Sequence, residues 1–443
     1  MDDVEKRVIG KVMRRLIPFL ILCYFVAYLD RVNVGFAKLH MNQALGFSEA
    51  AFGLGAGLFF IAYFLFEVPS NLFLERVGAR VWIARIMISW GIVSGAFAFI
   101  PQILGATGLS YESVFYTLRL ILGACEAGFF PGIIFYLTLW FPAVYRARVI
   151  SLFMLAIPIS SIIGSPISGL LLNLRGFGLD GWQWLFILEA LPSVLAGCAV
   201  LFYLTDFPRQ AHWLKAEEIA WLENVQATEK RNKEKVEHLS LFQALTDVRI
   251  LMCALVYFCL NAASYGVAFF LPTIIKGFGV SDTQTGLLAA LSFIFGGIGM
   301  VLLGRHSDRT MERKGHVAVA LLMAAIGIGI SGLVSSPVLI MALLCFAQIG
   351  VSGAADVLAA AGQLPDRSVG RRRNRGDQLA RQPLRFRRPL CDGLSEGPDR
   401  HLHDGTAAAR RVRRGWRRRG HEPADRCEAR AGVGRSGAGA LGF

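Results

Sequence analysis

The chain alternates long apolar runs with short polar breaks, and ten runs reach the roughly 20 residues that a bilayer-crossing helix needs. They lie near 14–36, 50–74, 82–101, 114–140, 148–173 and 183–205, and then near 250–275, 284–304, 316–334 and 336–357. The predicted fold class is therefore an all-α membrane protein. A charged, helix-prone segment at 206–249 splits the runs six and four. Its Trp213, Ile219, Ala220 and Leu222 form a short apolar stripe, the mark of an amphipathic surface connector. The expected organisation is a six-helix bundle over 1–205, the connector over 206–249, a shortened second bundle over 250–357 and an arginine-rich tail over 358–443. Six helices, a connector and a second set is the layout of a two-bundle transporter.

The polar breaks alternate in charge. Basic ones are the amino terminus (Lys6, Arg7, Lys11, Arg14, Arg15), ERVGAR at 75–80, Arg146 with Arg148, the connector, and GRHSDRTMERKGH at 304–316. Those between them are poor in Lys and Arg, so the positive-inside rule puts the amino terminus in the cytoplasm. The first run follows basic residues as a secretory signal would, yet no small-residue cleavage site ends it.

Composition supports a membrane protein: of 443 residues, 54% are hydrophobic and 18% charged. The net charge of +14 misleads, because residues 361–443 hold 20 arginines, no lysine and nine acidic residues. The basic balance describes the tail and argues for no acidic partner. Eight cysteines form no CxxC and no Cys/His ligand spacing. Glycine patterns such as GLGAGLFF lie inside spans, and no phosphate loop or Ser/His/Asp arrangement stands in context. Neither an enzyme, a metal site, a cofactor nor an ATP-driven pump is expected.

Charges at membrane depth cost a few kcal/mol, so each needs a partner, an aqueous cavity or a task. Asp30 and Arg31 sit in AYLDRVNVGFA, and Arg119 and Glu126 lie seven residues apart on one face of the fourth helix. A carboxylate removed from water can load and release a proton, and a nearby guanidinium fork can hold a carboxylate ligand. The plainer alternative is that Asp30 pairs with Arg31 or another helix, and Arg119 with Glu126. Glu67 and Glu189 lie nearer span ends and read as structural, and Tyr63 fits either packing or a cavity wall.

The stretches YLDRVNVGFA, FEVPSNLFLERVGARVWIARIMISWG, RLILGACEAGFFPGIIFYLTLWFP, and YGVAFFLPTIIK with GRHSDRTMERKGH resemble the major facilitator superfamily. More narrowly, they resemble its anion:cation symporter branch, the permeases for tartrate, phthalate, hexuronates and related acids. The resemblance covers about residues 10–357. It implies a twelve-helix, two-bundle fold, alternating access, and proton-driven uptake of a small organic anion by a monomer in the bacterial inner membrane. On it, Asp30 and Glu126 match the protonatable carboxylates, and Arg31, Asn33, Tyr63, Arg119 and Tyr265 form the expected substrate side. Glu75, Arg76, Gly78 and Arg80 take the place of one cytoplasmic gating turn, and Gly304, Arg305, Asp308 and Arg309 that of its counterpart in the second half.

The departure from the family is the tail, where two further helices would stand. A frame displaced by one base reads serial GNC codons as arginine and never as lysine, which is the composition seen. Starting each codon one base later, ADVLAAA at 355–361 permits PTFWPLP, DQLARQ at 377–382 permits INSLGN, and CDGLSEGPDRHLHD from Cys391 permits AMGYLKDLTGTYTT. These strings resemble the family's helices 10 and 11 and the turn before helix 12. The tail is thus expected to be out of frame from near 346–355, without fixed structure, and the chain as written to turn over poorly. A second function class, a membrane-anchored regulator whose basic tail binds nucleic acid or anionic lipid, has the tail alone behind it. No nucleic-acid partner is expected.

Overall fold

The computed structural model describes residues 3–234 and 246–362. The frame-shift reading concerns, from residue 363 on, positions outside those described, and so does 235–245 of the connector.

The helices are α1 (Asp3–Leu45), α2 (Glu49–Val77), α3 (Ala79–Ala96), α4 (Ile100–Thr107), α5 (Tyr111–Glu126), α6 (Phe129–Trp140) and α7 (Ala143–Met154). They continue as α8 (Ala156–Leu171), α9 (Gly181–Tyr203), α10 (Ala216–Glu234), α11 (Val248–Lys276), α12 (Asp282–Thr310), α13 (Lys314–Ser331) and α14 (Pro337–Gly362). Among the described residues, ten segments are long and apolar enough to cross a membrane, matching the ten apolar runs. Local chemistry sets their starts: Ser48, Ser110 and Ser281 each accept a hydrogen bond from the backbone N–H three residues on.

Three runs that read as single helices are broken, each four residues before a proline. Pro101 follows the short 3-10 turn Phe97–Phe99, Pro131 follows the α5–α6 break at Ala127, and Pro158 follows the end of α7 at Met154. A proline offers no N–H to the carbonyl four residues back and its ring crowds that carbonyl. At the second break Gly128 takes φ +86°, a left-handed conformation open to glycine.

In the first half α1 packs between α8 and α9, α3 against α9, and α2 against α5. In the second half α14 packs against both α12 and α13. The halves meet where α8 lies along α12 and α1 along α11. Gly169 and Gly286 make the first contact close: a side chain on either would strike backbone of the other helix. Outward faces of α11 and α13, at Tyr257, Phe258 and Leu322, stay exposed.

The connector stripe packs on the end of the bundle that carries Asp3. Leu222 is buried there, Trp213 stacks on Trp140 at 5.6 Å, and Ile219 packs on the same core, whereas Ala220 is exposed and Trp221 takes its place on the packed face. Lys11 reaches the buried Glu218 carboxylate at 2.7 Å, and Arg146 reaches Glu229 at 2.6 Å.

Candidate functional site

Arg31 of α1 lies where the two halves face each other. Its Nη1 donates to the Tyr265 hydroxyl of α11 at 2.9 Å, and its Nη2 is ion-paired with the Glu126 carboxylate. The rings of Tyr63, Tyr28 and Phe59 lie 5.6, 5.9 and 5.9 Å from its guanidinium carbon. The aromatic wall exposes little water to the pair, and the Arg31 side chain is 15% exposed against 6% for Glu126. A guanidinium has five N–H donors, and these contacts leave Nε without a partner. The site thus holds a fixed cation, a carboxylate that already occupies it, and spare donor capacity.

Glu126 owes its placing to the α5–α6 break, since it is the last residue of α5. The carbonyl of Ala127, denied the Pro131 N–H, accepts the Ser70 hydroxyl at 2.7 Å. Trp82 Nε1 in turn donates to Ser70 Oγ at 2.9 Å. The VPSN stretch of α2 and the start of α3 therefore hold open a break that aims a carboxylate at the centre.

Asp30 points away from Arg31, into the first half. Trp90 and Ser94 of α3 donate to it at 2.8 Å each, Ser193 of α9 at 3.0 Å and Asn33 at 3.1 Å. Each carboxylate oxygen receives two donors, so a buried charge is stabilised by neutral dipoles with no cation in contact. Asn33 thereby belongs to the Asp30 pocket and not to the Arg31 wall. Glu189, read from sequence as lying near a span end, is buried and accepts from Ser168 at 2.7 Å, one turn from Ser193.

Arg119 shares a face of α5 with Glu126 but not its company. It is buried, with its guanidinium carbon 5.1 Å from the Phe97 ring and 5.3 Å from the Phe115 ring. Its Nε and Nη2 have no hydrogen-bond partner. Arg31, arriving from α1, takes the carboxylate that helical spacing alone would assign to Arg119.

The two turns at the Asp3 end are built alike in one respect: each glycine sits beneath a carboxylate. Gly78, at φ +99°, lies against Asp206, which accepts the Arg80 N–H at 2.8 Å. Gly304 lies against Asp356. Asp308 pairs with Arg313 at 2.6 Å, a residue the sequence reading left unnamed. Glu75 and Arg76 are exposed, as are Arg305 and Arg309.

At the far end the halves are tied together. His40 Nε2 of α1 lies 2.9 Å from Asp282 Oδ2 of α12, and Lys276 of α11 reaches Asp282 Oδ1 at 2.7 Å. Asn173 donates to Thr283 at 3.2 Å. Gly35 admits the backbone of Ala268 and Phe269 so closely that a Cβ would lie 3.1 Å from either carbonyl oxygen. The missed residues, Trp90, Ser94 and Ser193 among them, carried one signal: polar side chains on single faces of otherwise apolar spans.

The profile of the Major Facilitator Superfamily matches residues 20–376. An Agrobacterium vitis protein named for tartrate transport is 51% identical over 352 residues, 79% of this chain and 79% of that one. NicT of Pseudomonas putida, named for metabolite transport, is 44% identical over 361 residues, 81% of this chain and 80% of the other. The crystal structure of a bacterial homologue of the human lysosomal transporter Spinster superposes with a TM-score of 0.61 at 17% identity, covering 80% of this chain and 75% of that chain.

Proposed function

The chain belongs to the major facilitator superfamily, as a permease of anion:cation symporter type, and from that premise we propose that it carries a small organic anion together with protons. It works by alternating access, as a monomer, in the bacterial inner membrane with its amino terminus in the cytoplasm. The far end, closed by His40, Asp282 and Gly35, is then the outside, and the resting state faces the cytoplasm. The observation that carries the reading is the bond set of Arg31: a cation between the two halves, held by Glu126 on one side and Tyr265 on the other.

Coupling follows from competition for that cation. While Glu126 is charged it occupies the guanidinium fork. A proton on Glu126 cancels its charge, frees the fork, and lets a substrate carboxylate take it with Tyr63 and Tyr265 alongside. Asp30 is a second proton site, since Ser94 and Ser193 can turn their hydroxyls to accept from a protonated carboxyl. Arg119, with unused donors, adds positive potential on the outer side of the site. The turns at Gly78–Arg80 and Gly304–Arg309 gate the inner face.

The test is binding, which does not depend on turnover. Labelled tartrate, the substrate named for the Agrobacterium relative, is titrated onto the full chain in lipid nanodiscs in weak buffer with a pH indicator. Proton uptake on binding is expected, and Glu126→Gln should bind with that uptake reduced. Undiminished proton uptake in Glu126→Gln would sink the coupling scheme. The regulator reading has behind it only the arginine tail, from residue 363 outside the described structure, while the relatives in the family are named as transporters.

A further inference from the structure

The seam between the halves buries a second cation that the central site leaves unused. Lys38 follows Arg31 by seven residues, so the two share a face of α1 and lie about 10.5 Å apart along its axis at 1.5 Å per residue. Its side chain is 2% exposed, and its ammonium lies 4.3 Å from the Phe270 ring centre of α11 and 5.0 Å from that of Phe52 of α2. Its acidic partner is Glu49, the first residue of α2, whose side chain is 68% exposed.

That pair is unequal. A buried ammonium has three N–H donors, of which Glu49 takes one, while the phenyl faces attract the charge without offering a conventional acceptor. Glu49 needs only a rotamer change to return to water, whereas Lys38 cannot follow it. An ammonium held this way is open to exchange for another carboxylate.

Gly35 lies between the two cations on the same face, and its contact with the backbone of Ala268 and Phe269 divides the Arg31 chamber from Lys38. When α1 and α11 part at Gly35, both cations border one cleft. A four-carbon diacid with a charge-assisted hydrogen bond of about 2.8 Å at each end spans a gap of that order. A monocarboxylate reaches one cation only.

We propose that Lys38 is the second carboxylate anchor of the outward-open state and sets a preference for dicarboxylates, one carboxylate resting on Arg31 and the other displacing Glu49 from Lys38. The inference rests on the organic-anion reading above.

The test compares tartrate with glycerate, a hydroxy acid with one carboxylate, binding to the full chain in nanodiscs. Lys38→Gln should weaken tartrate about tenfold and leave glycerate unchanged, whereas Arg31→Gln should lose both. Glu49→Gln, whose amide oxygen can still accept from Lys38 but carries no charge, should tighten tartrate several-fold by removing the competing carboxylate. A merely structural Lys38–Glu49 pair would instead make both substitutions weaken tartrate alike, and that result overturns the proposal. An unchanged tartrate-to-glycerate ratio in Lys38→Gln, with both anions lost in Arg31→Gln, also overturns it and leaves the proposed function standing. Absence of any binding by the unaltered chain overturns both.

Discussion

Arg31 and Glu126 are ion partners, although 95 residues separate them and each has a nearer charged neighbour in sequence. Removing one member of a buried pair strands the other in a low dielectric, at about 3–5 kcal/mol, whereas removing both strands nothing. Arg31→Gln and Glu126→Gln should therefore each lower the thermal midpoint of the purified chain. The double substitution should recover most of the loss while still lacking the tartrate binding that Arg31→Gln removes. Equal or additive destabilisation in the double would mean that the two side chains do not share one interaction.

Asp30 differs in kind, being solvated by four donors and no cation. In Asp30→Asn the amide nitrogen must face two of the four donors; the serine of that pair can turn to accept, but its companion, the Asn33 amide or the Trp90 indole, loses its acceptor at about 1–3 kcal/mol. Ser94→Ala removes one donor of four and should cost about 1 kcal/mol. Thermal unfolding should thus rank Asp30→Asn below Ser94→Ala. The reverse order would show that the pocket is not built around the charge.

The outline of this fold is legible because membrane spans announce themselves by length and apolarity, and both are local properties. All ten crossing segments could be placed from Leu, Phe and Ile density alone. Partnership could not, because helical spacing offers Glu126 the Arg119 on its own face and is silent on Arg31, 95 residues away. The choice is made in three dimensions, where the Arg31 side chain of α1 reaches the last residue of α5. The α5–α6 break was hidden for a similar reason: Pro131 hints at a kink, but the Ser70 hydroxyl that stabilises it arrives from another helix. Asp30 and Arg31 are adjacent in sequence and face different ways, which helical geometry does foretell.

Gly35 offers a steric test of closure at the outer end. A Cβ there meets two carbonyl oxygens at 3.1 Å, and backbone in a packed helix cannot give way singly. Gly35→Val should therefore hold α1 and α11 apart. Spin labels at Asn173 and Thr283, which touch across the halves, should show an added population at longer distance. Gly53→Val, where a Cβ meets nothing within 4 Å, serves as control and should leave the distribution unchanged. An unaltered distribution in Gly35→Val would detach this contact from closure.

Docking of α10 on the bundle should be acid-sensitive through Glu218. Burial alone would raise its carboxyl, but the Lys11 ammonium and the Lys215 N–H outweigh that effect and hold it below its ordinary value of 4.5. A carboxylate depressed in the docked form and ordinary in the free form binds fewer protons when docked. Its contribution is therefore complete above about pH 4.5 and falls away as pH drops through the lower, docked value. Amide exchange over 216–234, corrected for its intrinsic pH dependence, should rise on acidification across that window. Glu218→Gln removes the titrating group, so exchange should be faster at neutral pH and flat across the window. A pH step that persists in Glu218→Gln would assign the sensitivity to another group, of which Glu217 beside Arg7 and Glu229 beside Arg146 are the ion-paired carboxylates of the same helix.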